Sequence, residues 1–366
     1  MAPGSRVRGF LAGAAVAAGL FVLVAAVVVA VASHRPGSTG PAPPGRPGAS
    51  GAPRTPDAPR EPKATLGDPS GGTSGRASGV PGGVEVMAEE RSGDRRMDLT
   101  LRSAALGDVT RVRLLLPEGW SRDAGRTWPV LWLLHGGLDD HRSWSASDVD
   151  GLTRDDPVIV VMPDGGRCGS YSDWYNGGDG GPPRWATHHL RELLPLLESR
   201  YAASRERAVA GYSMGGQGAM LYAAAGGFRA AASFSGALHT LMPGVDVAVM
   251  LGTTAGCPGT DWKRVWGDPR EDREVWERHD PYHLADRLRG VRLYVASGDG
   301  GRRDGELFGD LTEELAHKAA LAFTGRLEAL DIPFEPHFYP GRHDMTYWNG
   351  ELRRALPMLL RSVGAR

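Results

Sequence analysis

Gly211-Tyr212-Ser213-Met214-Gly215 has the form G-x-S-x-G and stands between a short apolar run, Ala208 to Ala210, and a helix-like stretch, Met220 to Ala225. A sharp turn from strand into helix needs small residues on either side, and it lifts the serine oxygen above the sheet edge beside a helix N-terminus. The chain holds 52 glycines, so the pattern alone is weak and its strand-turn-helix setting carries the inference. A nucleophilic serine also needs a base to take its proton and donors to hold the oxyanion that forms. His343, in Gly341-Arg342-His343-Asp344 after the strand-like run Glu335 to Tyr339, is the candidate base. The candidate donors are the backbone N–H of Met214 and that of Gly137 or Leu138, where Leu133-Leu134-His135-Gly136-Gly137 ends an early strand on glycines. This constellation would perform acyl transfer through a serine ester.

The elements that must position these groups follow from the apolar runs. Arg95 to Ser103 and Val109 to Leu116 flank a turn at Leu106-Gly107-Asp108 and read as paired antiparallel strands at the start of a sheet. Pro129 to Leu134, Val158 to Met162, Ala208 to Ala210, Ala231 to Phe234 and Val291 to Ala296 are each of strand length, and helix-like stretches alternate with them. Arg184 to Arg200 and Leu311 to Leu330 carry helical periodicity. The expected fold is α/β, a mostly parallel central sheet flanked by helices with an antiparallel N-terminal edge.

Composition separates this domain, expected over residues 84–366, from what precedes it. Phe10 to Ala32 is a 23-residue stretch without charged side chains, behind a flank, residues 1–9, that holds Arg6 and Arg8. As a helix it would reach about 34 Å, enough to cross a hydrocarbon layer of about 30 Å, and the arginines favour a cytoplasmic N-terminus. The competing expectation is a cleaved signal peptide, since Ala30-Val31-Ala32 before Ser33 has the small-x-small form. Either way the domain is exported, as a membrane-tethered or a secreted protein. Residues 33–83 hold 11 Pro and 12 Gly and read as a disordered linker, too poor in apolar side chains to offset ordering entropy. With 42 Lys+Arg against 43 Asp+Glu and no sustained basic run, nucleic acid is excluded as a partner. Two cysteines, Cys168 and Cys257, exclude a multi-bridge framework and a four-cysteine zinc site, and leave one disulfide open outside the cell.

At these residues the chain resembles the putative-esterase family of α/β-hydrolases, which includes esterase D and the secreted mycolyltransferases. The likeness covers nearly all of 95–360. Besides the serine motif it rests on Val158 to Gly166, ending Met-Pro-Asp-Gly-Gly, on Tyr171-Ser172-Asp173-Trp174-Tyr175, on Val265-Trp266-Gly267-Asp268 with Asp280-Pro281, and on His343 with Tyr347-Trp348. The mycolyltransferase branch keeps its acid early in the last long helix, ten residues before a Phe, which implies Glu313 from Phe323. Glu314 adjoins it, and Asp299 and Asp304 lie in the loop after Val291 to Ala296, where many α/β-hydrolases hold the acid. The triad acid thus lies among these four. Mycolyltransferases hold trehalose with side chains at positions that here read His135, Leu138 and Met345, so the sugar site is expected to be absent. Tyr171 to Tyr175 with Trp144 and Trp174 would either line an acyl pocket or pack in the core.

The expected activity is a serine esterase using Ser213, His343 and Glu313, with Gly137 and Met214 as oxyanion donors and no cofactor. The alternatives are an acyltransferase moving an acyl group to an envelope alcohol, and a catalytically silent envelope-binding module of the same fold.

Overall fold

The structure, a computed structural model, describes residues 83–303, 306 and 309–366. The apolar stretch 10–32, all of the linker but Gly83, and the candidate acid Asp304 lie outside the described residues. Among the described residues no helix is long and apolar enough to cross a membrane.

Among the described residues nine strands form one sheet: β1 (Val84–Ser92), β2 (Arg96–Ser103), β3 (Asp108–Leu115), β4 (Trp128–Leu134), β5 (Ile159–Pro163), β6 (Ala203–Tyr212), β7 (Ala230–Phe234), β8 (Arg292–Gly298) and β9 (Phe334–Tyr339). Their spatial order is β1-β2-β3-β5-β4-β6-β7-β8-β9. The edge β1-β2-β3 is antiparallel and joins β5 antiparallel, while every pair from β5 through β9 is parallel. The fold class read from the sequence is thus the one observed. The strand β1 was not read as one, because Glu85, Glu89, Glu90 and Arg91 break its apolar signal. Those charges suit an edge, where they discourage pairing with a second sheet.

Side chains from the central strands enter two cores, one on each face. Val130, Trp132 and Leu134 of β4 point to one face with Val209, and Leu131 and Leu133 to the other with Ala208 and Ala210. Burial on both faces explains why these strands read as continuous apolar runs. The long helices are α1 (Leu194–Arg200), α2 (Met214–Ala225), α3 (Val245–Gly256), α4 (Leu311–Ala329) and α5 (Met345–Ser362). Met220 of α2 and Phe323 of α4 fill the first core, and Leu352, Leu356 and Leu359 of α5 fill the second. Arg184 to Arg200 is not one α-helix. A wider π turn over His188–Leu193 precedes α1. Pro195 supplies no N–H and its ring crowds the carbonyl four residues back, which the wider turn accommodates.

The chain crosses from β4 to β5 in one direction and from β5 to β6 in the other, so β4 is the switch point of the sheet. Loops leaving β4 and β6 diverge there, and ligands bind outside the carboxyl ends of such strands. Leu134 at the end of β4 pairs with Gly211 of β6, which sets the glycine loop against the serine turn. On the same side Cys168 and Cys257 form a disulfide across 89 residues, fastening the loop after β5 to the end of α3. Closing a loop of that length stabilises the fold by about 4–5 kcal/mol in the chain-entropy account.

The π turn drives His189 inward between Trp132, Tyr171, Trp185 and Tyr222. Its Nε2–H donates to the Asp164 carbonyl and its Nδ1 accepts from the Tyr222 hydroxyl. Burial, and secondarily His188, holds His189 well below the usual imidazole value, and burial lowers His141 and His279 as well. A histidine whose pKa is depressed in the fold binds fewer protons there than in the unfolded chain, so stability falls as pH drops below the unfolded value of about 6.5. Each such group contributes a slope of at most about 1.4 kcal/mol per pH unit. The urea midpoint should therefore be lower at pH 5.5 than at pH 7.5, and His189→Gln should reduce the difference; an equal midpoint at both values would contradict this account.

Candidate active site

The serine turn is built by its glycines. Ser213 has φ 53° and ψ −123°, a conformation side chains rarely adopt. A Cβ on Gly211 would fall on the Gly215 carbonyl, and a Cβ on Gly215 would fall on the Leu134 carbonyl, so only glycine permits the turn to close on β4. The Ser213 N–H donates to the Phe234 carbonyl (2.9 Å), which fixes the turn to β7.

Ser213 Oγ lies 2.9 Å from His343 Nε2, and His343 Nδ1 lies 2.6 Å from Glu313 Oε2. The structure thus joins three of the residues singled out from the sequence in one hydrogen-bonded row. Glu313 is fully buried in the first turn of α4. Its second oxygen accepts from the Ser235 hydroxyl (2.7 Å) and from the Gly298 N–H. Ser235 in turn accepts from the Trp348 indole N–H (3.0 Å), and the Trp348 ring stands edge-on to His343 and stacks on Tyr212. Asp310 holds both charged partners by their backbones: Oδ1 accepts from the Glu313 N–H as the cap of α4, and Oδ2 accepts from the His343 N–H (2.9 Å).

The remaining carboxylates take other places. Glu314 points to solvent and pairs with Lys318 (2.6 Å). Asp299 Oδ1 accepts from the backbone of Gly301 and of Gly341, so it shapes the loop that carries His343 without touching the imidazole. Ser235 and Asp310 were not singled out from the sequence. For Ser235 the only signal was a polar residue following the buried run of β7; for Asp310 it was an acid three residues before Glu313, the spacing of a helix cap.

A Cβ on Gly136 would come within 3.4 Å of Ser213 Cβ, which measures how closely the loop after β4 approaches the nucleophile. The Leu138 N–H is already engaged, donating to the Arg167 carbonyl (2.8 Å). Among the described residues the N–H groups of Gly137 and Met214 have no backbone or side-chain acceptor. His135 turns inward: its Nε2 accepts from the Gly165 N–H, so its proton sits on Nδ1, facing the Gly136 carbonyl. Trp144, Tyr171 and Trp174 are buried, which settles the two readings of the aromatic segment in favour of core packing for these three rings.

A family model described as "Putative esterase" matches residues 103–359. The chain belongs to this esterase family. An esterase of Mycobacterium tuberculosis, Esterase Rv1288, is 32% identical over 276 residues, covering 74% of this chain and 59% of that protein. The chain therefore spans little more than half the length of that relative. The diacylglycerol acyltransferase/mycolyltransferase Ag85B of Mycolicibacterium smegmatis is 29% identical over 255 residues, covering 64% of this chain and 77% of the other. Among solved structures, MPT51 of Mycobacterium tuberculosis superposes with a TM-score of 0.59 at 24% identity, over 72% of this chain and 96% of that one, and shares the α/β-hydrolase fold.

Two substitutions separate the carboxylate that touches the imidazole from the residue that holds it. With p-nitrophenyl acetate, Glu313→Gln should lower kcat by about 10⁴-fold, as loss of the triad acid does elsewhere, and Glu314→Gln and Asp299→Asn should stay within about tenfold of wild type. Ser235→Ala removes one hydrogen bond from the buried carboxylate, so kcat should fall about tenfold while KM stays within about twofold. A Ser235→Ala enzyme altered in KM alone would place this hydroxyl in substrate binding instead.

Proposed function

We propose that this chain is a serine esterase that cleaves carboxylic esters through an acyl-enzyme on Ser213. The observation that carries the reading is the unbroken row Ser213 Oγ, His343, Glu313, with lengths of 2.9 and 2.6 Å. The Ser213 oxygen attacks the ester carbonyl as its proton passes to His343 Nε2, and the carbonyl oxygen, now negative, is held by the N–H groups of Gly137 and Met214. His343 then protonates the departing alcohol, leaving the acyl group on Ser213. Water, giving up a proton to His343, attacks the acyl carbonyl and releases the acid. Throughout, Glu313 keeps the imidazole in the Nδ1–H tautomer and offsets its charge when it is doubly protonated.

A second reading replaces that water by an alcohol of the cell envelope, and similarity to an acyltransferase favours it. Trehalose is not a favoured acceptor, since His135 is turned into the protein and Leu138 offers no polar group. Export of the domain, by an anchor or a cleaved signal over residues 10–32, is supported by the Cys168–Cys257 disulfide, a bond that persists in oxidising compartments.

Ser213→Ala should reduce ester hydrolysis by about 10⁴-fold or more with an unchanged circular dichroism spectrum. A fluorophosphonate probe should label the wild-type chain and not this variant. Retention of more than about a tenth of the activity by Ser213→Ala would overturn the assignment. Adding alcohols to the assay distinguishes the two readings: a transferase yields the new ester at the expense of free acid, whereas a hydrolase does not.

A further inference from the structure

Among the described residues, one cluster of side chains apart from the Ser213, His343, Glu313 row gathers metal-ligating atoms. His239 lies in the loop after β7, and Asp280 and His283 lie in the segment between α3 and β8. One ligand atom from each falls within 4.8 Å of the other two. His239 Nδ1 is 2.8 Å and His283 Nδ1 is 3.0 Å from the same carboxylate oxygen.

We infer that His239, Asp280 and His283 form a binding site for a divalent transition-metal ion of the zinc class. The donors are two imidazole nitrogens and one carboxylate oxygen, a set that suits zinc and its neighbours in the first row and not the oxygen-seeking magnesium or calcium. Around a tetrahedral zinc ion such donors stand about 3.3 Å apart, as follows from bond lengths of about 2.0–2.2 Å. The two N···O separations are already close to that, so a small opening of the cluster admits the ion. Three protein ligands leave a position for water.

The surroundings have the character of an outer shell that orients ligands. Asp280 is fully buried, and its oxygens are fixed by the backbone N–H groups of Leu241 (3.3 Å) and Tyr282 (3.1 Å). The His239 ring is held flat on Tyr282, with centroids 4.1 Å apart. Coordination through Nδ1 requires each neutral imidazole to carry its proton on Nε2. Both rings are partly exposed, so each Nε2–H can donate to water; Glu277 Oε1, which accepts from Arg273, lies 3.7 Å from His283 Nε2. The ion would cross-link the loop after β7, which begins with Ser235, to the Asp280–Leu284 segment already tied to it by the Tyr282 N–H bond to the Leu238 carbonyl.

The site is independent of the esterase reading, and its test needs no substrate. The full chain, without an added polyhistidine tag and stripped with chelator, is titrated with zinc chloride in a calorimeter. One saturable site per chain and a raised Tm are expected, with no response to magnesium or calcium chloride. His239→Gln and His283→Gln should each weaken zinc binding by about tenfold or more. If a variant fails to fold, cobalt added to the wild-type chain gives the same information: the strong visible bands of low-coordinate cobalt with nitrogen ligands are expected. Absence of saturable zinc binding and of those bands, or full zinc affinity in the folded double variant His239→Gln/His283→Gln, would overturn the site and leave a hydrogen-bonded cluster only.

Discussion

The buried carboxylate of Glu313 is the constraint on which the rest of the site depends. A carboxylate shut off from water is strongly unfavourable unless its oxygens are hydrogen-bonded and its charge is offset. Its partners come from separate parts of the chain: Ser235 follows β7, Gly298 ends β8 and His343 follows β9. They meet only because β7, β8 and β9 lie side by side and in parallel, so that their carboxyl ends open on one edge. Sheet order and charge burial are therefore two statements of one requirement. If the strands were rearranged, the carboxylate would lose the donors that make its burial tolerable.

Much of this arrangement was legible in the sequence wherever the relevant physics is local. A nucleophile turn needs glycines at fixed offsets, so Ser213 could be found from five residues, and the apolar runs of β4 to β8 reported burial on both faces. The acid was different. Asp299 and Glu313 both lie near the end of β8, and nothing in their immediate sequence says which one faces the imidazole; resemblance to a known family, not patterning, pointed to Glu313. Ser235 was invisible because its role depends on contacts with residues more than 70 positions away. The helix α5 was not among the helical stretches read from the sequence, although its apolar face packs along the sheet.

His343 is on a loop, yet it is not free to wander. Gly341 is held from both sides, its N–H bonded to Asp299 and its carbonyl accepting from the Gly300 N–H, and the His343 N–H is bonded to Asp310. A Cβ on Gly298 would meet the backbone of Gly341, so the close approach of the two loops is itself written into a glycine. Asp310 caps the helix that carries Glu313 while also accepting from the backbone N–H of His343, so one side chain ties the two together. Such redundancy supplies the pre-organisation that electrostatic catalysis requires.

The groups that would perform chemistry are thus all fixed by the sheet edge and by the starts of helices, whereas the chain that surrounds them is not drawn from the sheet. The loop after β5 and the end of α3 are joined to each other by the Cys168–Cys257 bond, and the Leu138 side chain lies against Gly256 beside that bond. Leu138 is also one of the large apolar residues exposed at the surface, adjacent to the proposed oxyanion donor Gly137. The wall beside the Gly136-Gly137 loop is therefore set by a covalent bond, separate from the sheet-edge hydrogen bonds that join Ser213, His343 and Glu313. In such a division a sheet edge can hold reacting groups in place while surface loops, anchored independently, shape what approaches them.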